Sequence, residues 1–155
     1  SMSGLIDQIN RYPEEWAKVK ANPALATTAA TEAIRLQTPI AHMRRTATCD
    51  TVFGEEQIKK GDKIVLWYNS SNRDESVFPN GDLWDVNREN SRRPQSFGYG
   101  IHRCLGARLA ELQIATLIEE MAKRNMDVTL AAPPERIPSC FTNGFHHMMV
   151  TMTRI

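Results

Sequence analysis

Phe97-Gly98-Tyr99-Gly100-Ile101-His102-Arg103-Cys104-Leu105-Gly106 is the stretch on which the reading of this chain turns. One cysteine stands between glycines, directly ahead of a run with helical apolar spacing. At a helix N-terminus, unpaired backbone N–H groups and the positive end of the dipole favour a thiolate over a thiol. Gly98, Gly100 and Gly106 carry no Cβ, which leaves room for a flat, bulky group against the backbone. A lone cysteine is more often a buried, inert thiol. The glycines at fixed offsets and the aromatic Phe97 weigh against that reading.

Working outward, the run after Gly106 predicts a helix from about 105 to 124, with Leu105, Leu109, Leu112, Leu117 and Met121 on one face. Upstream, the segment 69–95 is polar and rich in Asn, Asp, Ser, Gly and Pro, which predicts a long ordered, irregular segment with a functional purpose. Before it, Ile64-Val65-Leu66-Trp67-Tyr68 is apolar throughout and predicts a strand buried on both faces. Phe53-Gly54-Glu55-Glu56 and Lys60-Gly61-Asp62 read as turns. Three helices come first: one around Leu5, Ile6 and Ile9, one opened by Pro13-Glu14-Glu15-Trp16 and closed near Asn22-Pro23, and one from about 25 to 37, closed by Pro39. Met126 to Leu130 and then Met148 to Ile155, where Met148, Val150 and Met152 alternate with the other face, predict strands in the tail, forming a terminal hairpin. The fold class is α+β: helices, a small sheet, an irregular meander, the cysteine loop, a long helix and the hairpin.

Composition sets the bounds. The 155 residues make one domain, 41% apolar and 24% charged, with a net charge of +1. That balance gives no push towards nucleic acid or a membrane surface, and no apolar run has the length of a membrane span. Cys49, Cys104 and Cys140 are odd in number and widely spaced, which points to a reducing, cytoplasmic setting rather than a disulfide framework. Ser1-Met2-Ser3 resembles a tag remnant or a start, leaving 4–155 as the domain.

Further residue patterns carry chemistry with different force. Glu32-Ala33-Ile34-Arg35 is an i,i+3 pair, and alone reads as an ordinary surface ion pair worth tenths of a kcal/mol. His146-His147 does not chelate one ion readily, because neighbours on a strand point to opposite faces; one is expected exposed and the other packed. Cys49 and Cys140 lack a Cys-x-x-Cys partner, against a zinc site. Arg92, Arg93, Arg103 and Arg108 cluster around the cysteine loop, which by default is a solvated basic patch.

A thiolate facing a planar group is what a haem iron with a cysteine axial ligand requires. The spacing Phe97…Gly100…Cys104…Gly106 resembles the haem-binding loop of the cytochrome P-450 family of monooxygenases, in its soluble bacterial form. Glu32-x-x-Arg35 resembles the family's Glu-x-x-Arg helix motif. Arg88, in Phe78-Pro79-Asn80-Gly81-Asp82-Leu83-Trp84-Asp85-Val86-Asn87-Arg88, stands where the family has the arginine that joins them. Trp84 departs from the more usual phenylalanine. The resemblance implies haem b as cofactor, Cys104 as proximal ligand favouring O–O cleavage, and Phe97, Gly98, Gly100 and Gly106 shaping the loop. It implies a structural Glu32–Arg35–Arg88 network. His102 and Arg44 become anchors for the haem carboxylates, with Arg45 an alternative to Arg44.

By the same resemblance, Ile40, Ala41, Asn143 and Phe145 border the substrate pocket, whose apolar character suits a hydrophobic small molecule. The basic cluster would dock an acidic, ferredoxin-type electron donor. The resemblance runs from about residue 5 to 155 and covers only the C-terminal part of a family member. The central distal helix that serves oxygen activation is not among these residues. Monooxygenation by this chain alone is therefore not expected, and association into a homo-oligomer through exposed apolar faces is. The rival expectation is a non-enzymatic α+β interaction module that keeps the fold and binds no haem.

Overall fold

The computed structural model describes residues 1–91 and 93–154. Helix α1 (Met2–Arg11) takes in Met2 and Ser3 and buries Leu5 and Ile9. Pro13 then opens α2 (Pro13–Ala21), with Glu14 and Glu15 in its first turn and Trp16 and Val19 turned inward. A short 3-10 turn (Pro23–Leu25), on which the Asn22 side chain accepts from the Ala24 N–H, leads into α3 (Ala26–Gln37). Ala26, Ala29, Ala30 and Ala33 are small enough for α3 to lie deep between α1 and α5, which begins at Ala107. The helix ends at Thr38, in the left-handed region with φ 39 and ψ 71.

Strand β1 (His42–Thr46) pairs antiparallel with β4 (Lys63–Trp67), and between them β2 (Thr51–Phe53) pairs with β3 (Glu56–Ile58). Gly54, at φ 62, makes the tight connection of that inner hairpin. The expectation that the Ile64–Tyr68 run is buried on both faces is corrected here. Val65, Leu66 and Trp67 are 42%, 38% and 56% exposed. The ribbon has two strands, so β4 has one hydrogen-bonded neighbour and no covering layer among the described residues. A four-residue helix, α4 (Tyr68–Ser71), follows directly and has no signal in the apolar pattern.

From residue 72 to 94 the described backbone is turns and bends, held by side chains rather than by a ladder. Phe78, Trp84 and Val86 are its buried apolar anchors. Trp84 is 1% exposed and its indole N–H donates to the Ala29 carbonyl at 3.1 Å, so the larger ring is used as both filler and donor. Two 3-10 turns (Gln95–Phe97 and Gly100–His102) carry the chain to α5 (Ala107–Lys123).

The face predicted for the long helix is corrected at its N-terminal half. Leu105, Leu109 and Leu112 are exposed, and the buried side is Ile114, Ala115, Ile118, Met121 and Ala122. Burial follows contact with α3, which crosses the later part of α5. In the tail, β5 (Met126–Leu130) pairs with β8 (Val150–Arg154), enclosing the inner pair β6 (Glu135–Arg136) and β7 (Phe145–His147). The terminal hairpin is thus two-tiered. Its last strand starts at Val150 rather than Met148, and Ile155 lies outside the described residues.

Candidate functional site: a thiol in an apolar cleft

The loop that bears Cys104 is built by backbone geometry. Gly98 has φ 68 and ψ −175, a conformation open essentially to glycine alone, and a Cβ there would come within 3.0 Å of the Tyr68 hydroxyl. Gly100 has φ 77, with open space where a Cβ would point. The Cys104 N–H donates to the Phe97 carbonyl at 2.9 Å, closing the loop. Cys104 stands three residues ahead of Ala107, with Gly106 at the cap; a Cβ on Gly106 would touch the Cys104 sulfur at 3.9 Å. The thiol is exposed.

Cys104 opens onto a cleft of about 570 Å³. Pro39, Ile40, Met43, Arg45 and Tyr68 contribute from the β1 side of the sequence, and Ser96, Phe97, Gly98 and His102 from the cysteine loop. Arg45 and His102 bring basic side chains to an otherwise mostly apolar lining that the N-terminal Ser1 also joins. Arg44 does not line the cleft. Successive strand residues face opposite sides, so Met43 and Arg45 share the cleft face of β1 and Arg44 takes the other.

Of the four substrate-pocket candidates, Ile40 lines this cleft. Ala41 is buried beside it, its N–H donating to the Phe141 carbonyl at 2.9 Å and its carbonyl accepting from the Tyr68 N–H at 3.0 Å. Asn143 and Phe145 do not line it themselves, but the Asn143 N–H donates to the carbonyl of cleft-lining Pro39 at 2.9 Å. The Asn143 side chain bonds the Gln37 carbonyl and accepts from Arg136 at 2.9 Å, and the Arg136 guanidinium lies 4.4 Å from the Phe145 ring centroid.

Behind the cleft, Glu32, Arg35 and Arg88 meet in the interior. The Glu32 carboxylate accepts from Arg35 Nε and Nη2 at 2.7 and 2.8 Å and from Arg88 Nε at 2.9 Å. Glu32 and Arg35 are fully buried and Arg88 nearly so. The spare guanidinium donors go to meander carbonyls: Arg35 to Asn72, Gly81 and Leu83, Arg88 to Pro79 and Asn80. What alone reads as a surface pair is therefore a buried charge cluster that ties α3 to the irregular segment.

The remaining chemistry-bearing residues stay apart. Both His146 and His147 are exposed, correcting the expectation that one packs inward; their rings meet edge to face at 4.3 Å. Cys49 and Cys140 are exposed and separate, and the described residues include no group of three metal-ligating side chains. Arg93, Arg103 and Arg108 are exposed, Arg108 paired with Glu111 at 3.0 Å, and Arg92 lies outside the described residues. No described helix is long and apolar enough to cross a membrane. Met43, Tyr68, Asn72 and Ser96 complete the site or its support, and no motif spacing announces them.

The donor set is chemically selective. One thiol, a guanidinium and an imidazole stand on a mostly apolar cleft within the size range of cofactor pockets. A soft sulfur suits iron, the cationic groups suit carboxylates, and the apolar lining with glycine-cleared backbone suits a macrocycle. The residues present fit a haem.

An α+β chain that presents one thiol in such a cleft, braced by a buried Glu–Arg–Arg cluster, defines a narrow structural class. A family model for Cytochrome P450 matches residues 16–126. The chain is 41% identical to Linalool 8-monooxygenase of Pseudomonas putida over 98% of its own length and 37% of that protein's. It is 38% identical to Cytochrome P450-terp of a Pseudomonas species over 99% of its length and 36% of that protein's. It superposes on the structure of Cytochrome P450-153 from Novosphingobium aromaticivorans with a TM-score of 0.94 and 48% identity, covering 98% of this chain and 38% of that one. The chain belongs to the cytochrome P450 family. It spans a little over a third of the length of these relatives.

Proposed function

We propose that this chain is the haem-thiolate part of a monooxygenase that hydroxylates an apolar small molecule with O2 and electrons from a redox partner. The observation that supports the reading most is the cleft in which Cys104, Phe97, Arg45 and His102 converge. A haem held here would supply O2 activation, with Cys104 as the thiolate that lends electron density to its iron. Cys104 holds the metal side of the group. Arg45 and His102 hold its carboxylates, Arg45 replacing Arg44 in this role because it faces the cleft. Ile40 and Met43 would offer it apolar contacts. Gly98 and Gly106 keep Cβ atoms out of the loop, and the Glu32 cluster fixes the meander on which the loop depends.

Arg93, Arg103 and Arg108 supply a positive surface beside the loop for an acidic electron donor, a docking mode that speeds encounter and weakens with salt. Three unpaired cysteines are in keeping with a reducing, cytoplasmic setting. Cys104 is exposed in this chain, so a group held there meets water on one side, and turnover requires a drier site. Binding and turnover are therefore separate questions.

The test is an optical titration of the purified chain with haem, followed by reduction under carbon monoxide. The reading expects the red-shifted Soret band of thiolate-ligated ferrous–CO haem, lost in Cys104→Ala. Weak binding indifferent to Cys104→Ala would instead favour an interaction module that keeps the fold without the cofactor.

A further inference from the structure

We propose that Asn72 is a positioning residue that clamps two segments of the cleft wall together and so sets where Cys104 stands. This rests on the haem-thiolate reading for its consequence, though not for its geometry.

Asn72 is fully buried, at the end of α4, and its amide is saturated. Its Nδ2 donates to Thr38 Oγ1 at 2.9 Å and to Ser96 Oγ at 2.8 Å. Its Oδ1 accepts from the Gln95 N–H at 2.7 Å. Each hydroxyl passes its own proton on to α3: Thr38 Oγ1 to the Arg35 carbonyl at 2.5 Å, Ser96 Oγ to the Ile34 carbonyl at 3.0 Å. Both carbonyls belong to the last turn of α3: that of Ile34 also accepts from the Thr38 N–H at 3.0 Å, and that of Arg35 faces Pro39, which has no N–H to give. The Asn72 carbonyl accepts from Arg35 Nη1 at 2.7 Å, joining the clamp to the buried charge cluster.

The three anchored points lead straight to the cleft. Thr38 is β-branched yet sits at φ 39, a conformation that such residues rarely hold without surroundings that impose it. It turns the chain into Pro39 and Ile40, which line the cleft. Gln95 and Ser96 open the 3-10 turn that ends at Phe97, whose carbonyl receives the Cys104 N–H. One amide group thus holds the strained exit of α3 and the entry to the cysteine loop in register. An apolar replacement leaves buried Thr38 and Ser96 and half-buried Gln95 each short of a partner.

Asn72→Ala and the milder Ser96→Ala test this by amide hydrogen exchange on the haem-free 155-residue chain, followed by the ferrous–CO spectrum of each haem-loaded variant. Expected is about tenfold or faster exchange at Gln95, Phe97 and Cys104 in Asn72→Ala, with a smaller rise in Ser96→Ala, while the buried turns of α5 change by less than about twofold. The thiolate-type band should give way in the same order. Unchanged exchange at Gln95 and Cys104 in both variants overturns the proposal, as does a local rise with the band intact. If Asn72→Ala unfolds, Ser96→Ala decides by the same two readouts. Absence of a Cys104-dependent band in the unaltered chain defeats the haem reading instead, and amide exchange alone then judges whether Asn72 fixes the loop.

Discussion

The Cys104 N–H reaches back 2.9 Å to the Phe97 carbonyl across a loop that Gly98 makes sterically accessible. At φ 68 and ψ −175 that glycine cannot be exchanged cheaply, and its pro-Cβ direction runs into the Tyr68 hydroxyl. Gly98→Ala should cost about 1–3 kcal/mol in urea unfolding. Tyr68→Phe in the same background should recover part of the loss, since it removes the clashing oxygen. A neutral Gly98→Ala would show that the loop conformation is not imposed.

Glu32 is the single anion between two buried guanidinium groups. Glu32→Gln should lower stability by about 3–5 kcal/mol, because two cations then lie in the interior without a counter-charge. Arg88→Met should be similarly costly. The double variant should fall well short of the sum of the singles, which a double-mutant cycle by denaturant titration reads directly.

Trp84 earns its burial twice, by filling the space between the meander and α3 and by donating to Ala29. Trp84→Phe keeps the aromatic contact and removes the donor. It should cost about 1–2 kcal/mol and leave the fold intact, with near-ultraviolet circular dichroism reporting the changed packing.

Asp127 carries a pH signature. The Lys20 ammonium, 2.7 Å away, holds its carboxyl below the usual range; partial burial opposes the shift and the Trp16 indole, at 2.8 Å, adds to it. A carboxyl depressed in the folded state stabilises above its unfolded value and loses that contribution as pH falls through the folded one. Asp127→Asn should therefore lower the melting temperature near pH 7 by the equivalent of about 0.5 kcal/mol, since the pair is partly exposed. The gap should narrow as pH falls below about 4, first as the unfolded carboxyl protonates and then, lower still, as the folded one does.

Cys104→Ala separates chemistry from folding. The thiol is exposed, so its loss should move stability by no more than about 0.5 kcal/mol while abolishing thiolate-type haem spectra. A large stability loss would mean that the sulfur is a packing group.

Local signals carried the helices well: Pro13, Pro23 and Pro39 mark boundaries that the structure keeps within a residue or two. The turns at Gly54 and Gly61 were equally legible, because positive φ leaves glycine as the ordinary choice. Burial was less so. The apolar run of β4 and the leucines at 105, 109 and 112 read as core, yet they face outward, since periodicity reports which side is apolar and not what covers it.

The amino-acid sequence by itself determined the cysteine loop and the order of elements, which depend on spacing along the chain, while Glu32, Arg35 and Arg88 were joined only by the family resemblance. Tertiary structure alone decided that Arg45 rather than Arg44 enters the cleft and that Asn143 meets it only through the Pro39 carbonyl. It also decided that Asn72 joins Thr38 to Gln95 and Ser96. Those three points are separated by more than twenty residues on either side of Asn72, and a hydrogen bond acts over about 3 Å. Only the packing of α3 against the meander brings them within that reach.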